Sequence, residues 1–192
     1  MTIRFQSLFV SARLTGGILP AVLALVLLGA SPARADDYDE VGALMRSGRM
    51  EDALRQADAY LTNRPRDPQM RFLKGMIQRD TAKLDEAMQS FKSLTEEFPE
   101  LPEPHNNLAV LYAARNEIDK ARASLEMAVR ANANYATAHE NLGDVYARLA
   151  ANAYLRAQQL GGANNLLEPK IKSLQQIIGS PAAVAPSKGT TP

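Results

Sequence analysis

Apolar residues recur along most of this chain at i, i+3, i+4 and i+7, the spacing of one face of a helix. The stretches MEDALRQA, LDEAMQSF and IDKARASL each read this way, and each is preceded by a short polar break: SGR, TAK or RNE. No stretch alternates, and β-branched residues are sparse, so strands are not expected. The pattern also repeats at a longer distance. HNNLAVLY, His105–Tyr112, returns as HENLGDVY, His139–Tyr146, with His, Asn, Leu and Tyr at the same places. Ala53, Ala87 and Ala121 are 34 apart, as are Met50, Leu84 and Ile118, and Pro65 and Pro99. The spacing predicts blocks of two amphipathic helices, about 34–67, 68–101, 102–135 and 136–161.

The fourth block departs from the pattern. RLAANAYLRAQQL has no turn residues between Tyr146 and Leu160, and its small residue Ala153 comes two places early. Either the turn is shortened near Ala150–Asn152 or the two helices run on as one. A tight turn is the expectation, with Gly161–Gly162 as the C-cap. A further helix is expected over Leu166–Ile178, with Pro169 in its first turn, where proline is tolerated. Leu167, Ile171, Leu174 and Ile178 share one face of it. Stacked repeats expose apolar surface at their ends and need a cap, so residues 162–179 are assigned as the capping helix. Residues 180–192, SPAAVAPSKGTTP, read as a disordered tail.

A fixed period of 34 with these columns resembles the tetratricopeptide repeat, a helix–turn–helix unit. The resemblance covers about Arg34–Gly161. It implies an all-α fold, a right-handed α-solenoid of about four repeats plus the C-terminal capping helix. In that family small residues at two places let helix A and helix B of a repeat approach. Here they are Gly75, Ala109 and Gly143 on helix A, with Val41 in the first block, and Ala53, Ala87 and Ala121 on helix B. A third place is often aromatic, matched by Tyr112 and Tyr146 but not by Leu44 or Gln78. The place often held by Trp carries Arg71, His105 and His139, and points toward the repeat interior.

The resemblance also implies a function. Helix A lines a concave groove that takes a peptide or a segment of a partner protein. Carried over residue by residue, the groove positions include Phe72, Met76, Arg79, Asn106, Asn107, Glu140, Asn141 and Asp144. Asn107 and Asn141 share one position, and an amide there offers a donor and an acceptor to an extended backbone; the alternative is an asparagine facing solvent. Phe72, Leu73 and Met76 form an apolar strip, or else pack between repeats. The clamp that some members use for a C-terminal carboxylate needs Lys or Arg where this chain has Phe72, Glu103, Asn106, Thr137 and Glu140, so that ligand is not expected. A rival reading is an assembly module that self-associates through its convex face or through Leu167, Ile171 and Leu174.

Charge and the chain's start add the remaining expectations. Arg4 and Arg13 precede ILPAVLALVLLGA, Ile18–Ala30, and SPARA follows before the acidic DDYDE. This is the layout of a secretory signal peptide, with cleavage expected after Ala35 and the bacterial periplasm as the expected compartment. The alternative is a retained membrane anchor. Thirteen apolar residues span about 20 Å as a helix, short of the roughly 30 Å hydrocarbon core. The first 35 residues hold three of the 22 basic residues and none of the 21 acidic ones, leaving 19 against 21, a net charge of −2 over residues 36–192. That balance gives no basic footprint for nucleic acid, and no second apolar stretch suggests membrane insertion after cleavage. Nine basic and five acidic residues lie between Arg46 and Lys83, and four basic and nine acidic between Leu84 and Glu126; such a gradient steers a partner of opposite polarity, or simply solvates helix faces. Cysteine is absent, which removes disulfides and thiol chemistry. His105 and His139 are the only histidines, and no nucleophile elbow, phosphate loop or His-x-x-x-His pair occurs. No enzyme activity, metal or cofactor is expected.

Overall fold

The computed structural model describes residues 33–161 and 165–179; residues 1–32 of the expected signal segment, residues 162–164 and the expected tail from residue 180 lie outside them. Among the described residues there are eight helices and no strand: α1 Ala33–Arg46, α2 Met50–Asn63, α3 Pro68–Asp80, α4 Leu84–Glu97, α5 Pro102–Ala114, α6 Ile118–Ala131, α7 Ala136–Gln159 and α8 Leu167–Ile178. Three A–B pairs stack in chain order, α1–α2, α3–α4 and α5–α6, followed by α7 and α8. This is the all-α solenoid that the 34-residue period predicts.

The three A–B turns share one backbone device. Gly48, Ala82 and Asn116 are equivalent by period, and all three have positive φ, 76°, 60° and 60°. Each left-handed residue reverses the chain, and the next amide then bonds back, as in Lys83 N–H to Gln78 O at 2.8 Å and Glu117 N–H to Tyr112 O at 2.9 Å. Between repeats a proline starts the next helix A: Pro68 follows Asp67, whose carboxylate caps α3 by accepting from Met70 N–H at 2.9 Å. Proline at the first position loses no intrahelical hydrogen bond.

The core runs through the stack in three overlapping clusters. Val41, Ala53, Ala57, Met70 and Ile77 fill the first. Met76, Ala87, Phe91, Leu94, Leu108 and Leu111 fill the second. Ala109, Ala121, Leu125, Ala128, Ala138 and Val145 fill the third. Ala53, Ala87 and Ala121 of the helices B are fully buried. At Gly75 an added Cβ would lie 2.8 Å from Phe91 Cε1, so the family's small-residue column marks real contact between α3 and α4.

The expected tight turn in the fourth block is not there: α7 runs unbroken for 24 residues. The sequence equivalent to SGR, TAK and RNE is Leu149–Ala150–Ala151, three good helix formers. Where Met50, Leu84 and Ile118 anchor helix B, the chain has Asn152, and where the close-approach alanines stand it has Leu155. A helix B built from these residues would hold helix A off with the large Leu155 side chain, so folding back gains little. Instead α7 ends at Gln159, and Gly161 supplies the left-handed residue (φ 79°) beyond its end. The next helix starts at Leu167, one residue after the expected Leu166, with Pro169 in its first turn. Leu167 and Ile171 are buried, Leu174 is partly so, and α8 packs on α7.

Candidate protein-interaction face

The helices A, α3, α5 and α7, set the candidate residues side by side. Two polar contacts cross the repeats along this row. Arg79 on α3 donates to Asn107 Oδ1 on α5 at 2.6 Å. Asn141 Nδ2 on α7 donates to Asn106 Oδ1 on α5 at 2.7 Å. Asn107 also donates back to Glu103 O at 2.9 Å. All three asparagines are buried, so neither an open position nor a solvent-facing one describes them; the amides form cross-repeat bonds instead. Asn106 Nδ2 is buried without a hydrogen-bond partner. A buried unpaired donor costs about 1–3 kcal/mol, and such groups call for a functional or structural reason.

The other candidates divide by depth. Met76 is buried in the second core cluster, and Phe72 is partly buried with its ring 5.7 Å from that of Phe91. Leu73 packs on the first cluster. The apolar strip is therefore largely inter-repeat packing. Arg79 is pinned by Asp80 at 2.7 Å as well as by Asn107. Asp144 is partly buried and Glu140 is exposed. The row thus brings Arg79, Asn106, Asn107 and Asn141 into one polar seam.

The two histidines do not share an environment. His105 is buried, with Nε2 3.1 Å from Pro99 O. Burial holds its pKa below the ordinary imidazole value; the Pro99 carbonyl opposes this, and Arg130 adds to it. His139 is exposed, Nε2 2.9 Å from Ala133 O. The expectation that this position points into the repeat fails at His139 because no helix B folds back over it. Among the described residues no group of three or more His, Cys, Asp or Glu could hold a metal, and no helix is long and apolar enough to cross a membrane.

One polar cluster escaped the sequence reading. Tyr38 on α1 donates to Asp67 Oδ2 at 2.6 Å, and Tyr60 on α2 donates to the same oxygen at 3.2 Å. Burial, then the hydrogen bond to Asp67, pushes the Tyr38 phenol well above its usual range. The two tyrosines are 29 and 7 residues from Asp67 and share no local pattern with it.

Comparison with known proteins agrees with this architecture. Two tetratricopeptide repeat family models match residues 38–102 and 80–142. The tetratricopeptide repeat domain-containing protein PYG7, chloroplastic, of Arabidopsis thaliana is 33% identical over 81 residues, 40% of this chain and 27% of that protein; the match spans about a quarter of that relative's length. Among solved structures, a thermophilic tetratricopeptide repeat protein of Thermus thermophilus superposes with a TM-score of 0.56 at 22% identity, covering 75% of this chain and 82% of that one. The MamA protein superposes with a TM-score of 0.54 at 20% identity, covering 76% and 82%. The Yersinia enterocolitica type III secretion chaperone SycD, in complex with a peptide of the translocator YopD, gives 0.51 at 15% identity, covering 77% and 96%.

Proposed function

Residues 38–142 of this chain are tetratricopeptide repeats, and on that premise we propose that the protein is a non-catalytic adaptor that holds a peptide or partner-protein segment along the row of helices A. The observation that carries this reading is the polar seam across three repeats, Arg79–Asn107 and Asn106–Asn141. Its buried amides hold successive helices A in register and fix the partly exposed Arg79 guanidinium at the row's surface, where an extended segment would cross them. A chaperone of similar fold has been solved with a peptide of its translocator, which supports the reading by analogy of fold.

We place the protein in the bacterial periplasm, reached through the signal-like segment with cleavage after Ala35. N-terminal sequencing of the native protein checks this: a chain beginning at Asp36 agrees, and an intact Met1 makes it membrane-anchored. The adaptor role is tested by affinity capture from envelope extract with the full chain beside an Arg79→Ala, Asp144→Lys variant, both checked for helicity by circular dichroism. A protein retained by the first and lost by the second supports the seam as the working face. Equal retention removes it. Exposed apolar residues at the α7–α8 end, Leu160 at 71%, Leu166 at 56% and Ile177 at 51%, favour a second reading, assembly through that end; equal retention combined with loss on Leu166→Ser, Ile177→Ser would select it.

A further inference from the structure

On α3 and α5 helix A carries a stripe that its own helix B covers, and among the described residues no helix B covers the equivalent stripe of α7. On α3 the stripe is Arg71, Gly75 and Gln78. Arg71 pairs with Glu97 at 2.7 Å, Gly75 faces Phe91, and Gln78 accepts from Ser90 at 2.7 Å, all on α4. On α5 it is His105, Ala109 and Tyr112. Ala109 packs with Ala121 and Leu125 of α6, and Lys120 Nζ stands 5.5 Å from the Tyr112 ring centre. On α7 it is His139, Gly143 and Tyr146. His139 and Gly143 are exposed, nothing lies within 4 Å of a Cβ built on Gly143, and Tyr146 is 48% exposed. Further along α7, α8 takes up the same stripe: Ala150 and Tyr154 share a shallow cavity with Lys170, Ser173 and Leu174, and Lys170 Nζ stands 5.2 Å from the Tyr154 ring centre. The α8 cover stops short of Tyr146.

We propose that the bare stripe His139–Gly143–Tyr146 is the docking site of a helix from a partner protein, which completes the fourth repeat from outside. The preceding repeat defines the occupant's chemistry, since HNNLAVLY and HENLGDVY present nearly the same face. The α6 helix that covers the first has Ala121, Leu125 and Ala128 buried, Lys120 over the tyrosine and Arg130 in its last turn. The occupant is therefore an amphipathic helix with an Ala-x-x-x-Leu-x-x-Ala face and basic edge residues. Charge favours the same choice. Glu140 flanks the stripe on α7, and Glu126, which also has Arg122 at 3.9 Å, lies 3.4 Å from the Tyr146 hydroxyl. A cation over Tyr146 would meet the ring and a carboxylate together. Gly143 leaves room for a large side chain of that helix, as Gly75 does for Phe91.

The probe is a fluorescently labelled synthetic peptide of the Ile118–Ala131 sequence, titrated into the full-length protein by anisotropy. Saturable binding is expected, weakened at least tenfold by Gly143→Leu and by Tyr146→Ala. Gly143→Leu preserves the fold, because the new side chain projects from an open helix face, and circular dichroism checks this. Absence of saturation overturns the proposal. So does equal binding to wild type and Gly143→Leu, which would mean that the peptide merely exchanges with α6. A wild-type dimer in sedimentation that Gly143→Leu dissolves also overturns it, by assigning the face to a second copy. The stripe is separate from the polar seam, so Arg79→Ala leaves peptide binding unchanged if the proposal holds, whatever becomes of the adaptor reading.

Discussion

Gly75 and Gly143 occupy the same place in the second and fourth repeats, yet their surroundings are opposite. A Cβ at 75 would press on Phe91 Cε1 at 2.8 Å, while one at 143 meets nothing. Gly75→Ala is therefore expected to cost about 1–3 kcal/mol through overpacking. Gly143→Ala should gain up to about 1 kcal/mol through helix propensity. Urea denaturation of the two variants checks the pair, and shifts of the same sign would refute the assignment of one as contact and the other as open. His105 supplies a pH dependence. Its folded pKa is depressed, chiefly by burial, so the unfolded chain binds more protons as pH falls below about 6.5. The His105 contribution to stability is present above that value and is lost downward until the folded pKa is reached. Stability measured at pH 7.5 and pH 5.5 should accordingly differ less in His105→Gln than in wild type.

The fate of the fourth repeat is decided at the level of the element. Ala82 and Ala150 are equivalent by period, but Ala82 is left-handed (φ 60°) in a turn and Ala150 lies inside α7. A left-handed alanine is strained by roughly 1–2 kcal/mol, which glycine relieves. Ala82→Gly is expected to stabilise by about 0.5–1 kcal/mol after the entropy of the freer unfolded chain is allowed for. Ala150→Gly should destabilise by about 1 kcal/mol. Thermal melts of the two proteins test this; a gain at both positions would mean that residue 150 also sits in a turn. Turn or no turn was almost readable: SGR, TAK and RNE gave way to Leu149–Ala150–Ala151, and helix B's anchor to Asn152. What obscured it was Ala82, which shows that alanine alone does not forbid the turn. The packing gained by folding back outweighs the strain in the second repeat, and Leu155 removes that gain in the fourth.

Across the whole described stack each helix pair touches its neighbours and little else, so stability is a sum of repeats and nearest-neighbour interfaces. Deleting residues 161–192 removes α8 and bares the surface that Leu167 and Ile171 cover. Hydrogen exchange should then quicken in the second half of α7 while α1–α4 remain as protected as before. Uniform quickening would mean that the stack behaves as one cooperative unit. Exchange should be slowest in α5, whose residues are buried around most of its circumference.

The sequence by itself determined the period, the helices and A–B turns of the first three repeats and the place of the C-terminal helix, because each depends on spacing within about one repeat; it did not determine that α7 runs on through the fourth. The resemblance to the repeat family also brought Arg79, Asn106, Asn107 and Asn141 forward as groove positions on successive helices A. Tertiary structure alone decided that those amides bond to one another across repeats, that Met76 belongs to the core, that Tyr38 and Tyr60 close on Asp67, and that His139 and Tyr146 stand uncovered while His105 does not. These outcomes turn on whether a neighbouring helix is present and how near it comes. That is a balance of packing against strain and burial between residues far apart in the chain, and no local pattern carries it.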